Sequence, residues 1–261
     1  MILFTCTLLQ GERTFSQTVD QATRLVKRGI SLYEKGDYTG AIASFNSAIE
    51  LKPGFAEAYL RRGHVERAQG ALDKSIEDYE KAGSLDPQIL ANNRQVADAY
   101  VNRGSIKRNK MEVDSALIDY ERAIKINPAR HRIYVERGEA RILAEDFQRA
   151  ITDFDYFIKQ EMLVSKNNQY KFGMAMAYCD RGFAKMLLGM EAEGKRDIEE
   201  GLKLVPQDAS GIEEHIKGLE LQLLVIRRIH PRTPGQASQA SDRVLWNPAL
   251  NQPIVLKFHV G

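Results

Sequence analysis

The chain has 261 residues and a mass of 29.5 kDa, with 43% hydrophobic and 28% charged residues, so it has the material for a folded core and is neither a disordered nor a membrane-embedded chain. Thirty-seven Lys and Arg balance 35 Asp and Glu to a formal charge of +2, which lacks the basic excess of a dedicated nucleic-acid binder. Two cysteines, Cys6 and Cys179, give neither a disulfide framework nor a metal-ligand spacing.

Residues Met1 to Leu9 form a short apolar run with Ile2, Leu3, Phe4, Leu8 and Leu9 and no basic residue before it. The run is too short to span a bilayer. It matches part of the export-signal pattern but lacks the basic start. Residues 1–21 are therefore expected to be an N-terminal extension, either the remnant of an export signal or a strand or helix packed on the first folded unit of the chain. A cytoplasmic location is favoured slightly over export.

From residue 22 onward the sequence repeats. Arg-Gly recurs at Arg28-Gly29, Arg62-Gly63, Arg103-Gly104, Arg137-Gly138 and Arg181-Gly182, with glycine spacings of 34, 41, 34 and 44. Placing each Gly at position 8 of a 34-residue repeat divides residues 22–208 into 22–55, 56–89, 97–130, 131–164 and 175–208, with insertions of 7 and 10 residues at Leu90–Val96 and Ser165–Met174. Other positions then align without adjustment. Position 20 carries Ala41, Ser75, Ala116, Ala150 and Gly194, and position 24 carries Phe45, Tyr79, Tyr120, Phe154 and Ile198. Position 27 carries Ala48, Ala82, Ala123, Phe157 and Gly201, and position 32 carries Pro53, Pro87, Pro128, Met162 and Pro206.

The local patterns are helical. Ala41 to Ile49 puts apolar residues at i, i+1, i+4, i+7 and i+8, a stripe with the helical period. Gly36, Gly70 and Gly189 fall where two helices must turn, and the prolines near position 32 mark the end of each second helix. The five glycines at position 8 lie inside first helices, where each costs about 1 kcal/mol relative to Ala, so a close approach to the paired helix at small position 20 is expected. The Arg at position 7 recurs with Asp at position 23, namely Asp78, Asp119, Asp153 and Asp197. That pairing favours an ion pair between the two helices over a ladder of ligand-binding arginines.

A 34-residue helix-turn-helix with Gly at 8, small at 20, aromatic at 24, Ala at 27 and Pro at 32 resembles the tetratricopeptide repeat (TPR) family. The resemblance covers about 72% of the chain, 187 of 261 residues. It implies an all-α fold, a right-handed α-solenoid of five TPR helix-turn-helix units, with first helices lining the concave groove of a superhelix. It also implies a non-catalytic adaptor or scaffold that binds a peptide or helical segment of a protein partner. Groove positions of the family fall here on Lys27, Ile30, Tyr33, Arg61, His64, Arg67, Asn102, Ser105, Arg108, Asn109, Glu139 and Phe183. The middle is basic and both ends are apolar, which suits an acidic or amidated segment with apolar flanks. The family's chaperone-binding branch clamps a terminal carboxylate with five residues whose places are taken here by Val26, Ile30, Arg61, Asp98 and Asn102; none matches. Each insertion contains Asn-Asn, Asn92-Asn93 and Asn167-Asn168, and lengthened helices are expected there.

Residues 209–230 read as a capping helix with a seam of Ile212, Ile216, Leu219, Leu223 and Ile226, expected to cover the fifth repeat. Leu221, Leu224, Val225 and Ile229 add a second apolar stripe, which predicts a cover: the chain's own tail, or a second copy in a homodimer. Residues 231–261 begin as a Pro, Gly, Ser and Gln-rich linker and end in the apolar segments Val244-Leu245-Trp246 and Ile254 to Val260. No phosphate loop, dinucleotide fingerprint, His-Glu-x-x-His or nucleophile elbow occurs, so no catalytic residue, cofactor or metal is expected. The five histidines are far apart in sequence. An RNA-binding helical repeat, or a self-associating structural protein, is the alternative function.

Overall fold

The structure, a computed structural model, describes residues 2–164 and 171–229. Among these residues there are eleven α-helices and no strand. They are α1 (Ile2–Glu34), α2 (Tyr38–Leu51), α3 (Ala56–Ala68), α4 (Leu72–Leu85), α5 (Arg94–Asn109), α6 (Val113–Ile126), α7 (Arg132–Leu143), α8 (Phe147–Val164), α9 (Lys171–Leu187), α10 (Glu191–Leu204) and, after a 3-10 turn at Pro206–Asp208, α11 (Ala209–Ile229). Helices α1 to α10 form five helix-turn-helix repeats, and α11 comes after them as an unpaired helix. The fold is the all-α repeat class expected from the sequence.

The turn within each repeat has one conformation supplied by different residues. Gly36, Gly70 and Gly189 sit at φ +80°, +79° and +85°, the left-handed region that glycine enters without a Cβ penalty. The same register position in the third and fourth repeats holds Met111 (φ +63°) and Glu145 (φ +58°), which incur that penalty. Asp37 caps α2 by accepting from the Gly40 N–H at 2.9 Å. Each of α2, α4, α6 and α10 ends two residues before Pro53, Pro87, Pro128 or Pro206.

The glycine at position 8 is required mainly by the aromatic at position 24. A Cβ on Gly63 would lie 2.7 Å from Tyr79, on Gly104 2.9 Å from Tyr120, and on Gly138 2.7 Å from Phe154. Position 20 is the main obstacle only in the fifth repeat, where a Cβ on Gly182 would lie 2.6 Å from the Gly194 carbonyl oxygen. So the ring lies flat on the bare turn of the first helix, and the cost of glycine there is offset by aromatic burial. Phe45, Tyr79, Tyr120 and Phe154 are all fully buried.

Contacts divide the chain into two compact lobes. One holds the described residues up to Arg103 with Lys125–Pro128, and the other holds Gly104–Ile124 with the described residues from Ala129 onward. In the first, Val26, Phe45, Ala58 and Val65 form a buried cluster joining α1, α2 and α3. In the second, a larger core runs from Val135 and Phe154 through Phe183 and Ile198 to Leu219 and Leu223 of α11.

Two expectations change. The N-terminal extension continues directly into the first repeat as one helix, α1. The first insertion lengthens a helix by only three residues, Arg94–Val96; the rest is turn, because Asn92 adopts φ +57° and the Asn93 side chain accepts from the Val96 N–H at 3.2 Å, ending one helix run and starting another. The tail, residues 231–261, lies outside the described residues, as does Asn167-Asn168 of the second insertion. No helix among the described residues is long and apolar enough to cross a membrane.

Candidate functional site

The position-7 arginines of the second, fourth and fifth repeats are structural. Arg62 grips Asp78 with two bonds of 2.7 and 2.6 Å, Arg137 grips Asp153 at 3.0 and 2.7 Å, and Arg181 grips Asp197 at 2.7 and 2.7 Å. The third guanidinium nitrogen reaches back one repeat, from Arg62 to Asn46 and from Arg181 to Asp155, at 2.6 Å in each case. Each arginine also lies over the tyrosine at position 4: Tyr59, Tyr100, Tyr134 or Tyr178. A second cation one turn on bonds the position-23 aspartate: Lys107 with Asp119 at 2.8 Å, Arg141 with Asp153 at 2.6 Å and Lys185 with Asp197 at 2.8 Å. Burial would raise the Asp197 carboxyl, but Arg181 and Lys185 outweigh it and hold the group below its ordinary range. The first repeat has Ser44 in place of the aspartate, and its Arg28 is exposed.

The expected partner-contact residues separate by lobe. Lys27 and Asn102 are exposed, while Ile30, Tyr33, Arg61 and Arg67 are half-buried, and Arg61 pairs with Glu57 at 3.2 Å. His64 is buried, with Nδ1 2.9 Å from the Tyr79 hydroxyl. Burial first, and then Arg61 and Arg67, lower its pKa to about 4, so the ring is neutral at pH 7. In the second lobe Asn109 is exposed, Ser105 lies 3.2 Å from the Tyr120 hydroxyl, and Arg108 bonds Glu139 and lies 3.5 Å from Glu136. Glu139 and Phe183, expected to meet a partner, are instead 8% and 0% exposed.

What buries them is α11. The helix packs on α7 and α9, the first helices of the fourth and fifth repeats. Its Ile212, Ile216, Leu219 and Leu223 enter the same core as Val135, Phe183 and Met186. Arg227 of α11 bonds Glu145, in the turn after α7, at 2.7 Å. The seam expected to cap the fifth repeat thus crosses it to reach the fourth. Leu221 and Val225 of the second stripe remain 61% and 44% exposed, whereas Leu224 packs on the core.

Docking of α11 closes a polar cluster. His215 Nε2 lies 3.0 Å from Asp180 Oδ1, and one ligand atom each of Glu139, Asp180 and His215 fall within 4.8 Å of one another. Asp180 is 0% exposed and its Oδ2 has no hydrogen-bond partner among the described residues. Burial raises the Glu139 carboxyl above its ordinary range despite Arg108. Burial opposes the His215 charge, but Asp180 outweighs it and raises the imidazole.

Family models for the TPR repeat match residues 29–65, and for the tetratricopeptide repeat residues 56–89 and 97–130. The chain is 35% identical over 79 residues to tetratricopeptide repeat protein 36 of Danio rerio, which aligns 30% of this chain with 42% of that protein. It is 34% identical over 71 residues to the homologue from Nematostella vectensis, aligning 27% of this chain with 39% of that one. This is a tetratricopeptide repeat protein. The matched stretch covers less than half of either curated relative. Among solved structures, MamA aligns with a TM-score of 0.52 at 22% identity over 73% of this chain and 95% of that one. YrrB, described as a TPR protein with an unusual peptide-binding site, aligns at 0.54 and 16% identity over 82% and 97%. Both are likenesses of fold.

In this TPR protein the tyrosines at position 4 and the cations at position 11 escaped the sequence reading, although both recur in register. The Glu139, Asp180 and His215 cluster had no such signal, because its histidine belongs to α11, outside the period. TPR folds serve generally as protein-interaction scaffolds.

Proposed function

We propose that this protein is a non-catalytic scaffold whose first-helix face in the amino-terminal lobe, around Lys27, Ile30, Tyr33, Arg61, Arg67 and Asn102, takes an amphipathic segment of a protein partner. The observation behind this is α11: an amphipathic helix covers the equivalent register positions of the fourth and fifth repeats, burying Val135, Glu139, Phe183 and Met186. In the first three repeats the sixth register position holds Lys27, Arg61 and Asn102, so acidic side chains beside the apolar ones would suit the partner. Arg62, Arg137 and Arg181 at position 7 are occupied by aspartates within their repeats and are not part of this surface.

Site-specific photo-crosslinking tests it. A photoreactive residue at Lys27 or Asn102 is expected to capture one protein that an identical residue at exposed Glu50, on a second helix, does not. A peptide of the captured segment should bind the purified protein, and Arg61→Glu should weaken it by about tenfold, the loss of one favourable charge contact turned repulsive. Capture of RNA, of the chain itself, or of the same proteins from all three positions would overturn the proposal.

A further inference from the structure

We propose that Glu139, Asp180 and His215 are the protein ligands of a divalent-cation site that closes when α11 docks on α7 and α9. One imidazole nitrogen and two carboxylate oxygens, brought within 4.8 Å of one another from three helices, match the donor set and number with which proteins hold zinc or manganese, leaving further positions for water. Two of the three ligands are buried, and the Asp180 carboxylate is left incomplete by its neighbours. It gives one oxygen to His215 and has the other, Oδ2, enclosed without a partner among the described residues.

The carboxylates of Glu136 and Glu139 face Arg108, and that of Asp180 faces His215, so the cluster sets three carboxylates against one guanidinium and one imidazole. Buried carboxylates are ordinarily paired or bound to metal. Arg108 bonds Glu139 through Oε2 and also faces Glu136, so it orients a ligand carboxylate that has a second oxygen to give. His215, the half-exposed member, lies on the solvent side and provides the way in. None of the three residues is used by the proposed partner face of the other lobe.

The test is calorimetric titration of zinc chloride, and separately manganese chloride, into chelator-treated full-length protein at pH 7.5. The expected result is one ion per chain, with a saturable rise in Tm and slower hydrogen exchange over residues 209–229. Asp180→Asn and His215→Gln should each weaken binding at least tenfold. No binding, or binding unchanged in variants with wild-type circular dichroism, would overturn the site. Should a variant not fold, X-ray absorption of the zinc-loaded wild type decides: one imidazole with oxygen ligands supports the site, and a shell containing sulfur or several imidazoles overturns it.

Discussion

Replacing Gly182 by Ala should destabilise the second lobe even though the same change elsewhere in a helix is favourable. A Cβ at Gly182 would stand 2.6 Å from the Gly194 carbonyl oxygen and 2.8 Å from Ile198 Cγ1, whereas ordinary van der Waals contact begins at 3.4 Å. The first obstacle is backbone and cannot rotate away, so α9 and α10 must move apart and loosen the core they share. Overpacking of this kind costs about 1–3 kcal/mol, and a rigid obstacle favours the upper end. Alanine returns about 1 kcal/mol of helix propensity, leaving a net loss of about 2 kcal/mol. Gly218 of α11 is the control: a Cβ there meets nothing within 4 Å, so Gly218→Ala should gain about 1 kcal/mol. Urea unfolding followed by circular dichroism, with a slope of about 2–3 kcal/mol/M, should separate the two midpoints by about 1 M or more. A Gly182→Ala midpoint at or above wild type, or two variants that coincide, would refute the steric account of position 8.

Asp153, 2% exposed, holds both Arg137 and Arg141, so Asp153→Asn should cost about 3 kcal/mol by leaving two guanidiniums short of charge, whereas Arg28→Ala, which lacks an aspartate partner, should stay within about 0.5 kcal/mol; thermal unfolding distinguishes them. Met111→Gly relieves a left-handed φ of +63° and should raise stability by about 1 kcal/mol in the same assay. The folded-state pKa of His64, about 4, lies below the ordinary 6.5, so the unfolded chain takes up the proton first, and this contribution to stability is complete above pH 6.5 and is lost as pH falls toward 4. Wild type should therefore lose up to about 3 kcal/mol relative to His64→Gln between pH 7 and pH 4, and parallel stability curves for the two proteins would refute the assignment.

Much that the period governs was legible: helix pairs, the glycine at position 8, the prolines after second helices, and the Arg–Asp pairs, because each repeats a local spacing. The period also misdirected. Position 20 was expected to demand the glycines because both are small, but three-dimensional packing puts the Tyr79, Tyr120 and Phe154 rings there instead. Met111 and Glu145 occupy a glycine conformation without glycine, so the turn is set by the helix pair and not by residue preference alone. Asn92-Asn93 looked like helix, although Asn is a natural left-handed and N-cap residue. The docking of α11 on α7 was not legible, since a seam of apolar residues says that a helix is covered and not by what.

That docking gives the register a consistent meaning. At position 6 the repeats carry Lys27, Arg61, Asn102, Glu136 and Asp180 in order, basic first and acidic last. The last acid is the one met by His215 of α11, and positions 5, 9 and 12 beside it are apolar or buried, as Val135, Phe183 and Met186 are. An apolar first-helix face with a buried carboxylate is stable only when covered by something apolar that carries a cationic or metal-binding group, and α11 supplies both the apolar seam and the imidazole. The amino-terminal repeats reverse the sign. Lys27 and Arg61 at position 6 belong to the same lobe as the half-buried Ile30 and Tyr33 and are not enclosed. The same fold position is thus self-satisfied where it is acidic and apolar; where it is basic, the proposed scaffold function assigns it to an acidic amphipathic segment of a partner.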